Sequence, residues 1–214
     1  MDFLSLVDLA QSVIDGLLFG STYALIGIGF TLIFGVMHKI NLSYAATSVA
    51  AAYLSLMVVN VVPTPLVYVA AALAGGVLGW MIYLICFRFL PINNPRATLL
   101  STVGMLLAIE ELISHLTHGM PLNYPAMFQD SNIELGSFFV RGDLLFVFAL
   151  GCIAMVALIQ LLKRTRLGLA TRAVAQQPVA AQLCGMGIAT TNVSTFVIAG
   201  LLGGTACHLY TSPS

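Results

Sequence analysis

Long apolar runs separated by short polar stretches dominate the chain. Leu17 to Met37, Leu42 to Val62, Leu66 to Phe87 and Leu144 to Leu162 contain no Asp, Glu, Lys or Arg. Each is close to the roughly 20 apolar residues a helix needs to cross a ~30 Å hydrocarbon core while bonding all its own backbone polar groups. Thr98 to Thr117, which carries Glu110 and Glu111, and Val193 to Tyr210 are two further candidates. The pattern predicts an all-α polytopic membrane helix bundle of about six transmembrane helices.

Loop charges orient the bundle, because Lys and Arg resist translocation. Lys39, Arg88, Arg96, Lys163, Arg164, Arg166 and Arg172 all fall on one side when six spans alternate, leaving Arg141 on the other. That side is the cytoplasm, so the N-terminus is expected to be extracytoplasmic. The outer loop His118 to Gly142 holds a stretch, Ile133 to Val140, that can be a hairpin strand or an interfacial segment. The inner loop, residues 163–191, is polar and alanine-rich. Residues 1–214 are read as a single membrane domain, with no repeat period and no linker.

Composition narrows the function. Of 214 residues, 59% are hydrophobic and 7% charged, and the mean hydropathy is +1.00; a water-soluble surface of that size cannot be covered by so few charges. Eight basic residues balance eight acidic ones, which leaves no basic face for nucleic acid. Cys86, Cys152, Cys184 and Cys207 lie far apart and read as small packing residues, with no metal or disulfide spacing. No nucleotide loop, zinc-hydrolase motif or nucleophile elbow occurs, so no catalytic group and no cofactor are expected. The N-terminus lacks the basic start and cleavage site of a removable signal peptide.

Candidate chemistry sits in four places. Gly16, Gly20 and Ala24 lie four apart on one face of the first span, a pattern that packs helices or lines a path between them. Beside it, Ser21, Thr22 and Tyr23 can line a polar path or bond carbonyls of their own helix. Asn41, Ser43 and Tyr44 open the second span as N-cap chemistry or as room for substrate. In the fourth span Glu110 is ~18 Å from Thr98, past the midplane. Buried charge at that depth usually faces a bundle interior or a cavity. With Glu111, Ser114, His115, Thr117 and His118 it suggests a wet vestibule wall, the alternatives being helix packing at the interface or, more weakly, a metal site. In the inner loop, Leu167 to Gln176 predicts a short helix, Pro178 starts another and Gly185 ends it. Its alanine-rich face suits the groove of a partner protein or a connector lying on the membrane.

The stretch Arg172-Ala-Val-Ala-Gln-Gln-Pro-Val-Ala-Ala-Gln-Leu-Cys-Gly185, then Thr195-Phe-Val-Ile-Ala-Gly200 and Gly203-Gly204, closely resembles the cytoplasmic coupling loop and following helix of branched-chain amino acid ABC transporter permeases. Gly20-Ser-Thr-Tyr-Ala-Leu-Ile-Gly-Ile-Gly-Phe30, Gly35 and Ile40-Asn41-Leu42 are similar to the family's first segments, and Thr102-Val-Gly-Met105 with Glu110-Glu111 to its central helix. The resemblance runs from about Val13 to Leu209. It implies a permease subunit in a bacterial inner membrane, working with a second permease subunit, two cytoplasmic ATPase subunits and a periplasmic substrate-binding protein. ATP hydrolysis belongs to those partners. Ser21, Thr22, Tyr23, Asn41, Ser43, Tyr44, Ser101, Thr102, Glu110 and Glu111 would line the substrate pathway. Gly168, Arg172, Ala173, Gln176, Ala180, Ala181 and Gly185 would couple the bundle to the ATPases.

Two features depart from the family pattern. Ser43-Tyr44-Ala45-Ala46 stands where Ala-His-Gly-acid is common, which admits urea or a short amide as alternative substrates. Family members also continue through more spans, so the sequence is expected to be a truncated frame with about its last five residues non-native. A stand-alone carrier or a membrane scaffold are the readings from another class.

Overall fold

A computed structural model describes residues 3–59, 64–90, 95–120, 132–135 and 138–210. Its helices are α1 (Phe3–Met37), α2 (Ser43–Leu56), α3 (Thr64–Ile82), α4 (Pro95–Thr117), α5 (Gly142–Arg164), α6 (Arg166–Gln176), α7 (Pro178–Leu183) and α8 (Ile188–Tyr210). A one-turn π segment, Tyr83–Phe87, extends α3. Strands β1 (Asn132–Leu135) and β2 (Phe138–Arg141) form an antiparallel hairpin pairing Ile133 with Val140. The outer-loop stretch is thus a hairpin added to an all-α bundle.

Among the described residues, four helical segments are long and apolar enough to cross a membrane: Gln11–Met37, Leu66–Phe87, Arg96–Thr117 and Ile188–Ala206. The pair Phe148–Arg164 and Arg166–Gln176, bent by 77° at Thr165, brings the number to five if it is one span. Six were expected. The expected span Leu42 to Val62 runs past Val59 into residues that lie outside the described ones; its described helix, α2, has 14 residues and reaches ~21 Å. Its apolar composition hides a helix built for burial: Ala46, Ala50, Ala51 and Ala52 are buried together with Ser43, Thr47, Ser48 and Ser55. Small side chains let neighbouring helices approach, and the hydroxyls need no partner outside the helix. Thr47 donates to the Ser43 carbonyl (2.6 Å), Ser48 to that of Tyr44 (3.0 Å) and Ser55 to that of Ala52 (2.7 Å), the usual way such residues are satisfied inside a helix.

Helix α8 is the hub and packs on α1, α2 and α3. Its tightest partner is α3, antiparallel to it, and the two meet backbone to backbone. A β-carbon on Gly75 would collide with the Gly200 carbonyl, one on Gly200 with the Gly75 carbonyl, and one on Gly204 with the Ala71 carbonyl. Ala71, Gly75 and Gly79 lie at four-residue spacing opposite Phe196, Gly200 and Gly204, the small-residue pattern that draws membrane helices together by close packing. Toward the loop end of α8, Phe196 fills the gap between Tyr83 and Phe87 of the π segment, with ring centroids 5.5 and 4.8 Å away. Separations in that range are typical of favourable aromatic pairs.

The small-residue stripe of α1 behaves otherwise. Gly16 and Gly20 have nothing within contact of a built β-carbon; with Ala24 they line an open cleft against Phe148, Gly151 and Cys152 of α5. Gly29 is the tightly packed glycine of α1, covered by the Tyr44 ring. Among the cysteines, Cys86 is buried whereas Cys152 and Cys184 are exposed, so only the first of these three fills a packing role.

Gly200→Leu and Gly75→Leu are each expected to lower the unfolding midpoint of the purified protein markedly, because overpacking costs ~1–3 kcal/mol even where side chains can yield. Gly20→Leu is expected to leave it unchanged within error. Thermal unfolding in detergent compares the three.

Candidate functional site

Helix α1 ends at Met37, and His38 takes a left-handed conformation (φ 52°) that turns the chain back toward the bundle. The returning segment is held by Asn41, whose Oδ1 accepts from the Ser43 amide (3.2 Å) and the Ser43 hydroxyl (2.7 Å). One side chain thereby serves two donors of Ser43, while the N-cap residue itself is Leu42, with no side-chain cap bond. Asn41, Ser43 and Tyr44 are all buried. The Tyr44 hydroxyl donates to the Ala199 carbonyl of α8 at 3.0 Å and rests against Gly29 and Gly203. Tyr44 is therefore a structural cross-brace between α1, α2 and α8.

Helix α4 packs on α2 and on the π segment through one stripe. Thr98 and Thr102 are buried, and Met105 and Ile109 pack against the Tyr83–Phe196 cluster. Lys39 donates to Thr98 Oγ1 across a long 3.4 Å contact, and burial pulls its ammonium below the ordinary lysine value. The Thr102 hydroxyl bonds the Leu99 carbonyl (2.9 Å) of its own helix. Ser101 is half-buried, with its carbonyl 3.8 Å from Cys86 Sγ. A buried polar patch thus lies where α2 and α4 begin, formed by Asn41, Ser43, Thr98 and Thr102.

Other expected residues lie apart from this patch. Ser21 donates to the Leu18 carbonyl (2.7 Å), which favours bonding within its helix; Thr22 is buried and Tyr23 is exposed. Glu110, Glu111, Ser114, His115 and His118 are exposed. They face away from this chain's bundle interior, because α4 is anchored only along the opposite stripe. No cluster of three metal-ligating side chains exists among the described residues.

The inner loop folds as a two-helix knuckle. Thr165 Oγ1 caps α6 by accepting from the Gly168 amide at 3.1 Å. Gly168 sits against the carbonyls of Leu161 and Leu162, leaving no room for a side chain. Pro178 occupies the first turn of α7. Gly185 (φ 82°) ends it with Met186 N–H to Ala181 O (3.0 Å) and Gly185 N–H to Gln182 O (2.9 Å), the paired bonds of a Schellman cap. The alanine face expected to be free is divided. Ala181 is 5% exposed and packs with Val36 and Val174, and Ala173 is partly buried on the same cluster. Arg172, Gln176 and Ala180 are exposed, and the outer surface is capped by Val179 (68% exposed) and Leu183 (86%). Of these two, Val179 was not singled out by sequence. Nor was Asn192, one turn into α8, which is buried with its Oδ1 lacking a hydrogen-bond partner.

The sequence profile of the family described as branched-chain amino acid transport system / permease component matches residues 12–213. The chain belongs to this family. It is 27% identical over 212 residues to the high-affinity branched-chain amino acid transport system permease protein LivH of Salmonella typhimurium and 26% to LivH of Escherichia coli, covering 92% of this chain and 68% of each relative. With the corresponding protein BraD of Pseudomonas aeruginosa the identity is 25% over 213 residues, or 93% of this chain and 69% of the relative. No solved structure matches. Membership makes this bundle a transport permease component, and its apolar helices are the spans of a membrane protein.

Asn41→Ala is expected to cost this permease about 1 kcal/mol for each of the two hydrogen bonds to Ser43 that it removes. Asn41→Asp should retain most of it. Chemical denaturation in detergent distinguishes the two.

Proposed function

We propose that this chain is a membrane-spanning permease subunit of an ATP-driven importer that translocates branched-chain or other hydrophobic amino acids. It would lie in a bacterial inner membrane with the N-terminus outside and most basic residues, Lys163 to Arg172 among them, in the cytoplasm. A second permease subunit, two cytoplasmic ATPase subunits and a periplasmic substrate-binding protein complete the assembly. The substrates named for LivH and BraD favour amino acids over urea or short amides, and a family of multi-component transport systems favours an importer subunit over a stand-alone carrier or scaffold.

The observation that carries this reading is the knuckle of α6 and α7. It is a doubly capped projection, bent 77° from α5, whose tip leaves Val179 and Leu183 largely exposed. An apolar tip beside Arg172 is suited to a groove on an ATPase subunit. Ala181 and Val174 rest on Val36 of α1, and α8 begins five residues after α7 ends. Movement of the knuckle is thus passed to α1 and to the hub helix. Gly168 and Gly185 allow the two sharp turns; Arg172, Gln176 and Ala180 form the polar and small flank of the docking surface, and Ala173 its inner edge.

In the membrane, Asn41, Ser43, Ser101 and Thr102 would form the polar wall near the cytoplasmic end of the pathway, next to the Tyr44 brace. Glu110 and Glu111 would stand at its outer half, turned toward the second permease subunit and a wet vestibule, since carboxylates facing lipid are costly. Ser21, Thr22 and Tyr23 would border it on the α1 side.

Leu183→Asp is expected to reduce ATP-dependent leucine uptake by the assembled transporter at least about tenfold while membrane insertion and unfolding temperature stay normal, because its side chain is largely exposed in this chain. Ala181→Glu should instead destabilise the subunit itself by burying a charge. Normal uptake by Leu183→Asp would remove the docking assignment.

A further inference from the structure

Helix α4 runs to Thr117, whereas α2 ends at Leu56, and among the described residues the two helices leave a space between them. The result is a cavity of about 230 Å³ walled by Ala50, Tyr53 and Leu56 on one side and Ile109, Leu112 and Ile113 on the other. Apolar cavities of ~150 Å³ already accept a guest as large as benzene, so this one has room for a branched four-carbon side chain. Its lining is apolar apart from the hydroxyl residues Tyr53 and Thr117, and a charge stands on the adjoining face of α4. At ~100° per residue, Ile109, Leu112 and Ile113 share the cavity face, Glu110 flanks it, and Glu111 points the opposite way. Glu110 is exposed, and a carboxylate beside an apolar pocket is matched by a ligand with an aliphatic tail and a cationic head.

We propose that this cavity is the side-chain subsite of the transported amino acid, with the α-ammonium group on Glu110. This rests on the amino-acid importer reading above. It makes Ile113 a specificity-determining residue and Glu110 a head-group ligand. A phospholipid acyl chain fits the aliphatic walls but leaves Glu110 facing lipid, so the flanking charge favours the amino acid.

The test uses the complete transporter with its binding protein, supplied with leucine and valine. The binding protein is the same throughout, so its preference cancels in ratios between variant and wild type. Ile113→Phe should lower the leucine-to-valine uptake ratio about tenfold, in line with the discrimination a snug apolar pocket gives per methylene. Ile113→Ala should raise uptake of phenylalanine relative to leucine. Ala50→Val narrows the pocket from the opposite wall and should act like Ile113→Phe, which keeps the test decisive if one variant misfolds. Glu110→Gln should raise KM for leucine and valine alike, leaving their ratio unchanged. Ratios within twofold of wild type in variants that still transport would overturn the proposal. So would an unchanged ratio with less co-purified phospholipid in Ile113→Phe, which would assign the cavity to an acyl chain. Failure of the wild-type complex to take up any amino acid would instead reject the importer reading.

Discussion

The backbone contact between α3 and α8 is the constraint on which the rest of the bundle depends. Lipid tails are as apolar as leucine, so membrane helices gain little from burying apolar surface against one another and associate by close packing. Gly75, Gly200 and Gly204 remove every side-chain atom from the contact and let carbonyl oxygens pack where β-carbons would stand. Many weak dispersion contacts then add along the seam. Phe196 fills the place where the seam meets the π segment, and Tyr44 bonds the α8 backbone at Ala199 from the other side.

With α8 fixed in this way, α2 can be short. It is enclosed by α3, α4 and α8, so its hydroxyl-rich surface meets protein. The beginning of α2 is held by Asn41, which accepts from the amide and hydroxyl of Ser43, and Lys39 reaches Thr98 of α4. Beyond this anchored start, Ala50, Tyr53 and Leu56 face the far part of α4 across the apolar cavity.

Much of this was legible in the sequence where local chemistry decides structure. The two-helix knuckle was readable because Pro178 and Gly185 are strong start and stop signals. The apolar limits of the third span match the segment Leu66–Phe87 that can cross a membrane. What failed depended on which neighbour a face meets. Leu42 to Val62 has the composition of a span, but that composition does not show that α2 buries its alanines and serines against protein, since such residues score as membrane-compatible whether they face lipid or protein. The α1 glycines attracted notice by their spacing, but a spacing does not name its partner. Ala71, Gly75 and Gly79 have the same spacing and meet a complementary helix. Ala181 was expected on a free surface, although a position that docks on Val36 can be recognised only once α1 and α7 are in place.

The central claim is that α3 and α8 move as one unit while the knuckle drives them. A built β-carbon at Gly76 lies 3.2 Å from the Leu201 side chain, so Gly76→Cys together with Leu201→Cys, in a background with the native cysteines replaced, places two thiols across the seam. The decisive measurement is leucine uptake by the assembled transporter before and after oxidation of this pair. The account predicts ready disulfide formation with uptake unchanged; loss of uptake on cross-linking, restored by reduction, would contradict it.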